Sequence, residues 1–317
     1  MEQLNHTVVT YFIIKGISDE PKLQVPIFFL VLFLYLITLG GNMAILLLVC
    51  LDHQLHTPMY FFLGNLSIVD MSSATVVLHN TLIIFVTKNR TIPYVTCIAQ
   101  MYFFGAFVNV ELLILTAMSY DRYMAICNPL RYINVMNPKM YILLAIACWT
   151  LSLLEVLPYV VLLAEFTCYR SNIINHFFCD IMPVIKLSCS DTSVLETLFF
   201  NEGVFLLVLT PFLLTFFSYV FIIATILKIR SSTGRHKAFY TCSSHLTVVI
   251  LLYTTLVLQY LRPISEDSLD YNKCFALFNT AAVPILNPLI YSLKNKDVKS
   301  ALKRMLICVG YASKPFQ

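Results

Sequence analysis

The stretch CIAQMYFFGAFVNVELLILTAMSYDRYMAIC runs from Cys97 to Cys127, and as far as Tyr120 its only charged residue is Glu111. A helix crosses the ~30 Å hydrocarbon layer of a bilayer with about 20 apolar residues, so this run is long enough to be one transmembrane span. It ends on an adjacent acid and base, Asp121 and Arg122, flanked by tyrosines. An isolated pair of this kind reads as a basic anchor at the membrane surface with its counter-ion. A sharper reading is a switch, held in one packing of the helices and released in another.

The pattern repeats along the chain. Apolar stretches occupy roughly residues 25–51, 58–84, 97–120, 140–164, 196–227, 238–261 and 273–293. Of the 317 residues 59% are hydrophobic and only 12% charged, about half the ~25% of a soluble protein. Mean hydropathy is +0.79. These features exclude a soluble fold and predict an all-α membrane protein, a bundle of seven helices. Backbone groups in lipid must satisfy one another, which requires helices. Pro158, Pro211, Pro284 and Pro288 lie inside spans; neighbouring helices and water can serve the carbonyls they free. The net charge of +4 is too mild for nucleic-acid binding. Residues 1–24 form a polar tail without a cleavable signal, 25–293 the transmembrane domain, and 294–317 a second tail.

Lys and Arg set the direction. With the amino end outside, the inner segments hold thirteen and the outer ones eight. Asn5-His6-Thr7 is a glycosylation acceptor that also belongs outside, and Asn89-Arg90-Thr91 is a second. Asn65-Leu66-Ser67 matches the pattern but lies within a span. Cys97, Cys168, Cys179 and Cys189 fall on the outer, oxidising side; four cysteines make two disulfides in any of three pairings.

Ionisable residues within a membrane usually face the bundle interior. Asp70 lies about 18 Å from the inner end of its span, Glu111 about 16 Å, Asn42 about 14 Å and Asn287 about 10 Å, at ~1.5 Å per residue. Four polar groups on four helices at similar depth suit a hydrated sodium ion, with Asp70 and Glu111 as its charged ligands. A structural hydrogen-bond network is the alternative. Glu155 lies further out, with no role legible.

Several motifs converge on one family. MSYDRYMAIC (118–127) resembles the MAYDRYVAIC signature of vertebrate odorant receptors within the rhodopsin-like G-protein-coupled receptors. Gly41-Asn42, LHTPMYFFLGNLSIVD (55–70), Ser218-Tyr219, KAFYTCSSHL (237–246), PILNPLIYSLKN (284–295) and the loop HFFCDIMPVIKLSCSDT (176–192) follow in the family's order. The HTPMYFFL form is similar to the tetrapod-type class. Ser119, Met124 and Tyr240 depart mildly from the usual Ala, Val and Ser.

The resemblance implies disulfides Cys97–Cys179 and Cys168–Cys189. It implies an inner switch of Asp121, Arg122 and Tyr123 with Tyr219 and Tyr291 as moving partners, and an ion site at Asp70 and Glu111. The segment from His236 to His245 would help engage a heterotrimeric G protein of the olfactory stimulatory type, raising cyclic AMP. Localisation would be the plasma membrane.

The outer half of span three carries no charge, and where amine-binding relatives place an Asp this chain has Phe104. A buried ammonium without a counter-ion is heavily penalised, so the expected partner is a small, volatile, mostly apolar and uncharged ligand. Helical spacing nominates Phe104, Gly105, Val108 and Asn109 on span three and Tyr253, Leu256, Val257 and Tyr260 on span six. Gly203, Leu207 and Thr280 complete the wall. No cofactor is expected beyond the sodium ion. Residues 295–309 are amphipathic, which suits a helix lying on the inner leaflet.

Other classes fit less well. A transporter would show an internal repeat or a charged path, a retinal sensor a lysine well inside the last span rather than Lys273 and Lys294, which only bracket it, and an intramembrane enzyme a motif such as HExxH or GxSxG. The chain has none of these.

Overall fold

The computed structural model describes residues 9–260, 268–294 and 296–312. Asn5 and Arg262 lie outside the described residues, as do the side chains of Tyr291 and Cys308. Among the described residues seven helices are long and apolar enough to cross a membrane: α1 (Pro21–Leu51), α2 (Pro58–Thr87), α3 (Tyr94–Cys127), α4 (Pro138–Ala164), α5 (Ser193–Leu227), α6 (Ser232–Tyr260) and α7 (Asn272–Ile290). An eighth, α8 (Lys296–Ala312), follows. Proline opens α1, α2 and α4, where its fixed φ and missing N–H are harmless. The apolar stretches of α2 and α3 are 61% buried, against 11% for α1 and 22% for α4 and α5. The first pair is therefore the centre of the bundle and the others its rim.

Asp121 and Arg122 do not mark the end of α3. The helix continues to Cys127 and stops before Asn128-Pro129, because a residue preceding proline is pushed out of helical geometry. The pair thus sits on the side of a helix rather than at its frayed tip.

The prolines explain two irregularities. Phe199–Leu209 and Phe278–Ala282 are wound as wider π turns, and Pro211 and Pro284 follow them directly. A proline ring crowds the carbonyl four residues back and offers it no N–H; widening the preceding turn relieves both. Pro288 has a different remedy. Its missing N–H orphans the Pro284 carbonyl, and Asn42 Nδ2 donates to that oxygen at 2.9 Å from α1. Gly41 makes the approach feasible, since a methyl there would stand 3.2 Å from Pro288 Cγ. The Gly41-Asn42 dipeptide is a complement to a proline on another helix.

At the Cys97 end, a small sheet caps the bundle. β1 (Tyr11–Ile14) pairs antiparallel with β2 (Thr91–Pro93) and parallel with β3 (Ile173–Ile174). Phe12 and Ile14 are buried beneath it. Its strands are too short and scattered to register as sequence periodicity. At the opposite end α8 lies against the bundle through Val298 and Ala301, both buried. Arg304 Nε donates to Asp52 at 2.9 Å and Tyr60 donates to Asp297 at 3.0 Å, so polar residues of this amphipathic helix also tie it to the bundle.

Candidate functional site

A cavity of about 150 Å³ lies toward the Cys97 end, enclosed by α3, α4, α5, α6 and the loop before Ile181. Met101, Phe104, Gly105, Val108 and Asn109 form its α3 wall, and Val156 and Tyr159 come from α4. Phe199, Gly203 and Leu207 come from α5, and Leu256, Val257 and Tyr260 from α6. Two glycines keep it open. A methyl on Gly105 would lie 3.3 Å from Val156 Cγ1, and one on Gly203 would face the Tyr159 hydroxyl at 3.6 Å. Gly203 stands within the π turns of α5, so the proline-driven widening shapes the wall.

The roof is pinned from several sides. Cys179 is disulfide-bonded to Cys97 at the top of α3, and its N–H donates to Gln100 Oε1 at 2.9 Å. Gln100 Nε2 in turn donates to the Val76 carbonyl at 2.7 Å, within a π turn of α2. Phe178 packs edge-on against Phe104, centroids 5.0 Å apart. The second disulfide, Cys168–Cys189, closes the rest of the loop. With Cys179 fixed, its neighbour Asp180 must meet the cavity. Asp180 Oδ1 accepts from Ile181 N at 2.8 Å and from the Tyr260 hydroxyl at 3.5 Å. Burial pushes its carboxyl up to about 6 from the ordinary 3.8. On the wall, Asn109 Nδ2 donates to Glu155 Oε2 at 3.2 Å.

Deeper in the bundle, Asn287 Nδ2 donates to Asp70 Oδ2 at 2.9 Å and reaches Glu111 Oε1 at 3.5 Å. Asn42 is not in this cluster: its amide is committed to the Thr38 and Pro284 carbonyls. Asp70 Oδ1 and Asn287 Oδ1 are buried without a hydrogen-bond partner. Two orphaned oxygens and two carboxyl groups in one place form a donor set suited to a cation. Among the described residues no third His, Cys, Asp or Glu joins them, so water would supply the remaining ligands.

Toward the other end, Arg122 pairs with Asp121 at 3.4 Å and touches the Met59 sulfur. Asp121 Oδ1 accepts from the Tyr132 hydroxyl at 2.8 Å. Burial and the Asp121 carboxylate push the Tyr132 phenol above its ordinary range, so it remains a donor at physiological pH. Tyr219 is bound to His245 Nδ1 at 2.6 Å, and Tyr123 packs edge-on against Phe221. His245 is fully buried, and its imidazole, engaged with Tyr219 between α5 and α6, is part of the bundle's packing.

Residues 31–308 match the sequence profile of the olfactory receptor family. The chain belongs to that family. Olfactory receptor 5AR1 of Mus musculus is 45% identical over 306 residues, 96% of this chain and 98% of that protein. Human olfactory receptor 8J2 is 47% identical over 303 residues, 95% and 96% of the two chains. The protein is thus an odorant receptor, a seven-helix membrane protein of the G-protein-coupled class.

The receptor's cavity gathers Phe104, Gly105, Val108, Asn109, Gly203, Leu207, Leu256, Val257 and Tyr260. It does not gather Tyr253 or Thr280. Tyr253 packs edge-on against Phe212, centroids 5.2 Å apart, and belongs to the main core. Thr280 is fully buried, its hydroxyl returned to the Ala276 carbonyl at 2.8 Å. Asp180, Val156, Tyr159 and Phe199 are lining residues that helical spacing did not nominate. For Asp180 the signal was adjacency to the cysteine bound to α3. For the α4 residues there was none, since a mostly lipid-facing helix has no clear apolar stripe to read.

Proposed function

We propose that the cavity is the odorant site and that its occupancy biases the helix packing around Arg122. The single observation that supports this is a partly enclosed, largely apolar chamber shared by four helices and roofed by a doubly disulfide-tied loop. Its contents would touch α3, α5 and α6 together, and those same helices carry Arg122, Tyr219 and His245 toward the other end. A ligand that fits one packing better shifts the equilibrium toward it.

The chamber's size limits the ligand. An apolar cavity of about 150 Å³ in another protein accepts a benzene ring, so the odorant has on the order of 6–10 non-hydrogen atoms. At about 0.6 kcal/mol per atom, between the ceilings for very small and drug-sized ligands, the affinity runs from about millimolar for the smallest to tens of micromolar for the largest. The mostly apolar lining favours an uncharged molecule. Asp180 supports a second reading, a cationic amine, because its carboxylate is the counter-ion that span three lacks.

We place the amino end and the disulfides outside the plasma membrane, consistent with the Lys and Arg distribution and with Asn5 and Asn89 as glycan acceptors. Signalling then runs inward to a heterotrimeric G protein of the olfactory stimulatory type. Asp70, Glu111 and Asn287 would hold a sodium ion between the two ends. The test is a panel of neutral odorants and matched amines applied to cells expressing the receptor, read as cyclic AMP. Neutral agonists that lose their effect in Arg122→Ala at equal surface display are the expected result. An undiminished response in that variant would remove Arg122 from the mechanism, and an amine as best agonist would select the second reading.

A further inference from the structure

Asn109 is a buried side chain on the cavity wall, and its amide is not free to choose which polar atom it shows. Its nitrogen donates to Glu155 Oε2 on α4 at 3.2 Å. A primary amide is planar, with donor and acceptor on opposite sides of its carbon, so fixing the nitrogen fixes the oxygen. Asn109 Oδ1 makes no hydrogen bond to any described residue. It is also absent from the fully enclosed, unpartnered atoms, which leaves the cavity as the space it faces. Glu155 itself is not a wall residue. We propose that Glu155 is a positioning residue: by holding Asn109 with its carbonyl toward the cavity, it selects odorants that carry a hydroxyl or N–H donor over isosteres that can only accept.

The surroundings reinforce this polarity. The Tyr260 hydroxyl donates to Asp180, so its hydrogen is already committed. Asp180 is a second acceptor on the same cavity. A hydroxyl placed beside Asn109 donates to a waiting oxygen, whereas a ketone oxygen there meets another carbonyl and leaves both desolvated. Sites that pair with a ligand hydroxyl reject the analogue lacking it more strongly than apolar pockets reject a change of size. One neutral hydrogen bond gained, taken at its net value, corresponds to about tenfold in potency.

This inference rests on the cavity being the odorant site, and the experiment separates the two. Full-length receptor is expressed in cells and challenged with pairs of small alcohols and the ketones of the same skeleton, read as cyclic AMP, with surface display measured in parallel. The wild type is expected to favour the alcohol by about tenfold. Glu155→Gln, which keeps an acceptor oxygen but adds an N–H that can hold Asn109 the other way round, should retain only part of that ratio. Glu155→Leu frees the Asn109 amide to turn and should bring the ratio to about one or invert it. A mere staple between α3 and α4 would instead lower both potencies together. Should Glu155→Leu fail to reach the surface, Asn109→Leu carries the same test, with collapse of the ratio expected. A ratio unchanged in either displayed Leu variant overturns the proposal, as does a wild type activated by ketones but not alcohols, or by neither. Gly203→Phe fills the cavity: loss of every response in that variant upholds the odorant site even when the ratio test fails, and a full response to the panel removes the site itself.

Discussion

Replacing Asn42 with leucine should destabilise the receptor through a carbonyl on another helix, and a second substitution should repair it. The Asn42 amide donates to Pro284 O at 2.9 Å, and the ordinary partner of that oxygen would be the N–H of residue 288, which is proline. A hydrogen bond between membrane helices contributes about 0.6 kcal/mol on average and up to about 1.7, because partners lost in one place are usually found in another. Here the residue four positions on is a proline and has no N–H to offer in its place. The cost therefore belongs near the upper value, toward the ~1–3 kcal/mol of a buried group left unpaired. Pro288→Ala restores the N–H, so in that background Asn42→Leu should cost less than about 0.5 kcal/mol, as independent substitutions elsewhere do. The coupling expected from the double-mutant cycle is thus about 1–1.5 kcal/mol. In detergent-solubilised receptor the single variant should unfold roughly 2–3 °C lower, with most of that shift absent in the Pro288→Ala background. Gly41→Ala should be relieved by Pro288→Ala as well, since its methyl would meet the proline ring at 3.2 Å. Losses that simply add in the double variant would refute the account, leaving Asn42 as an amide whose Pro284 contact is incidental.

Asp180 gives a pH prediction whose sign follows from its raised pKa. A carboxyl at about 6 folded and near 3.9 unfolded keeps its proton longer in the folded state, so stability falls as pH rises from about 4 to about 6 and is flat above. Asp180→Asn should abolish that slope and gain up to about 3 kcal/mol at neutral pH, measured as thermal midpoint against pH; a slope that survives refutes the assignment. Cys97 and Cys179 close a separation of 82 residues and Cys168 and Cys189 one of 21. Replacing the first pair by serine should cost about 4.5 kcal/mol and the second about 3.3 on a chain-entropy basis, so surface display should fall further in the first variant. If sodium occupies the Asp70 cluster, agonist potency should depend on sodium in the wild type and lose that dependence in Asp70→Asn; equal dependence in both would remove the ion.

The spans were legible because lipid permits little else: a long run with one charge, such as Cys97–Tyr120, has no soluble alternative. The depth of Asp70, Glu111 and Asn287 was legible for the same reason, as each residue adds a fixed rise. Their grouping did not follow from depth. Asn42 lies at a similar level and points elsewhere, because the rotation of a helix depends on its neighbours and α1 is a rim helix. The α3 and α6 walls could be nominated from helical spacing. Tyr253, however, is one turn from Leu256 and Val257 and still faces Phe212, since the same stripe serves both core and cavity. The cap sheet escaped notice, its strands being only a few residues long and brought together by tertiary contact alone.

The polar side chains inside the bundle fall into two kinds, and the distinction bears on function more than depth does. Asn42 and Gln100 mend the backbone: the first serves a carbonyl orphaned by Pro288, the second a carbonyl in a π turn of α2 and the N–H of Cys179. Thr280 returns its hydroxyl to its own helix. Such groups are complete in the protein by itself. Asp70 Oδ1, Asn287 Oδ1 and Asn109 Oδ1 carry no such bond to the described residues. A bundle that satisfied the first set at the cost of interhelical geometry, including a glycine at 41 and π turns ahead of two prolines, had the means to satisfy the second. Leaving an acceptor exposed to a cavity costs stability that a ligand can return on binding. That return biases the receptor only where one packing presents the acceptor and the other does not, because a molecule bound equally well by both packings would shift neither.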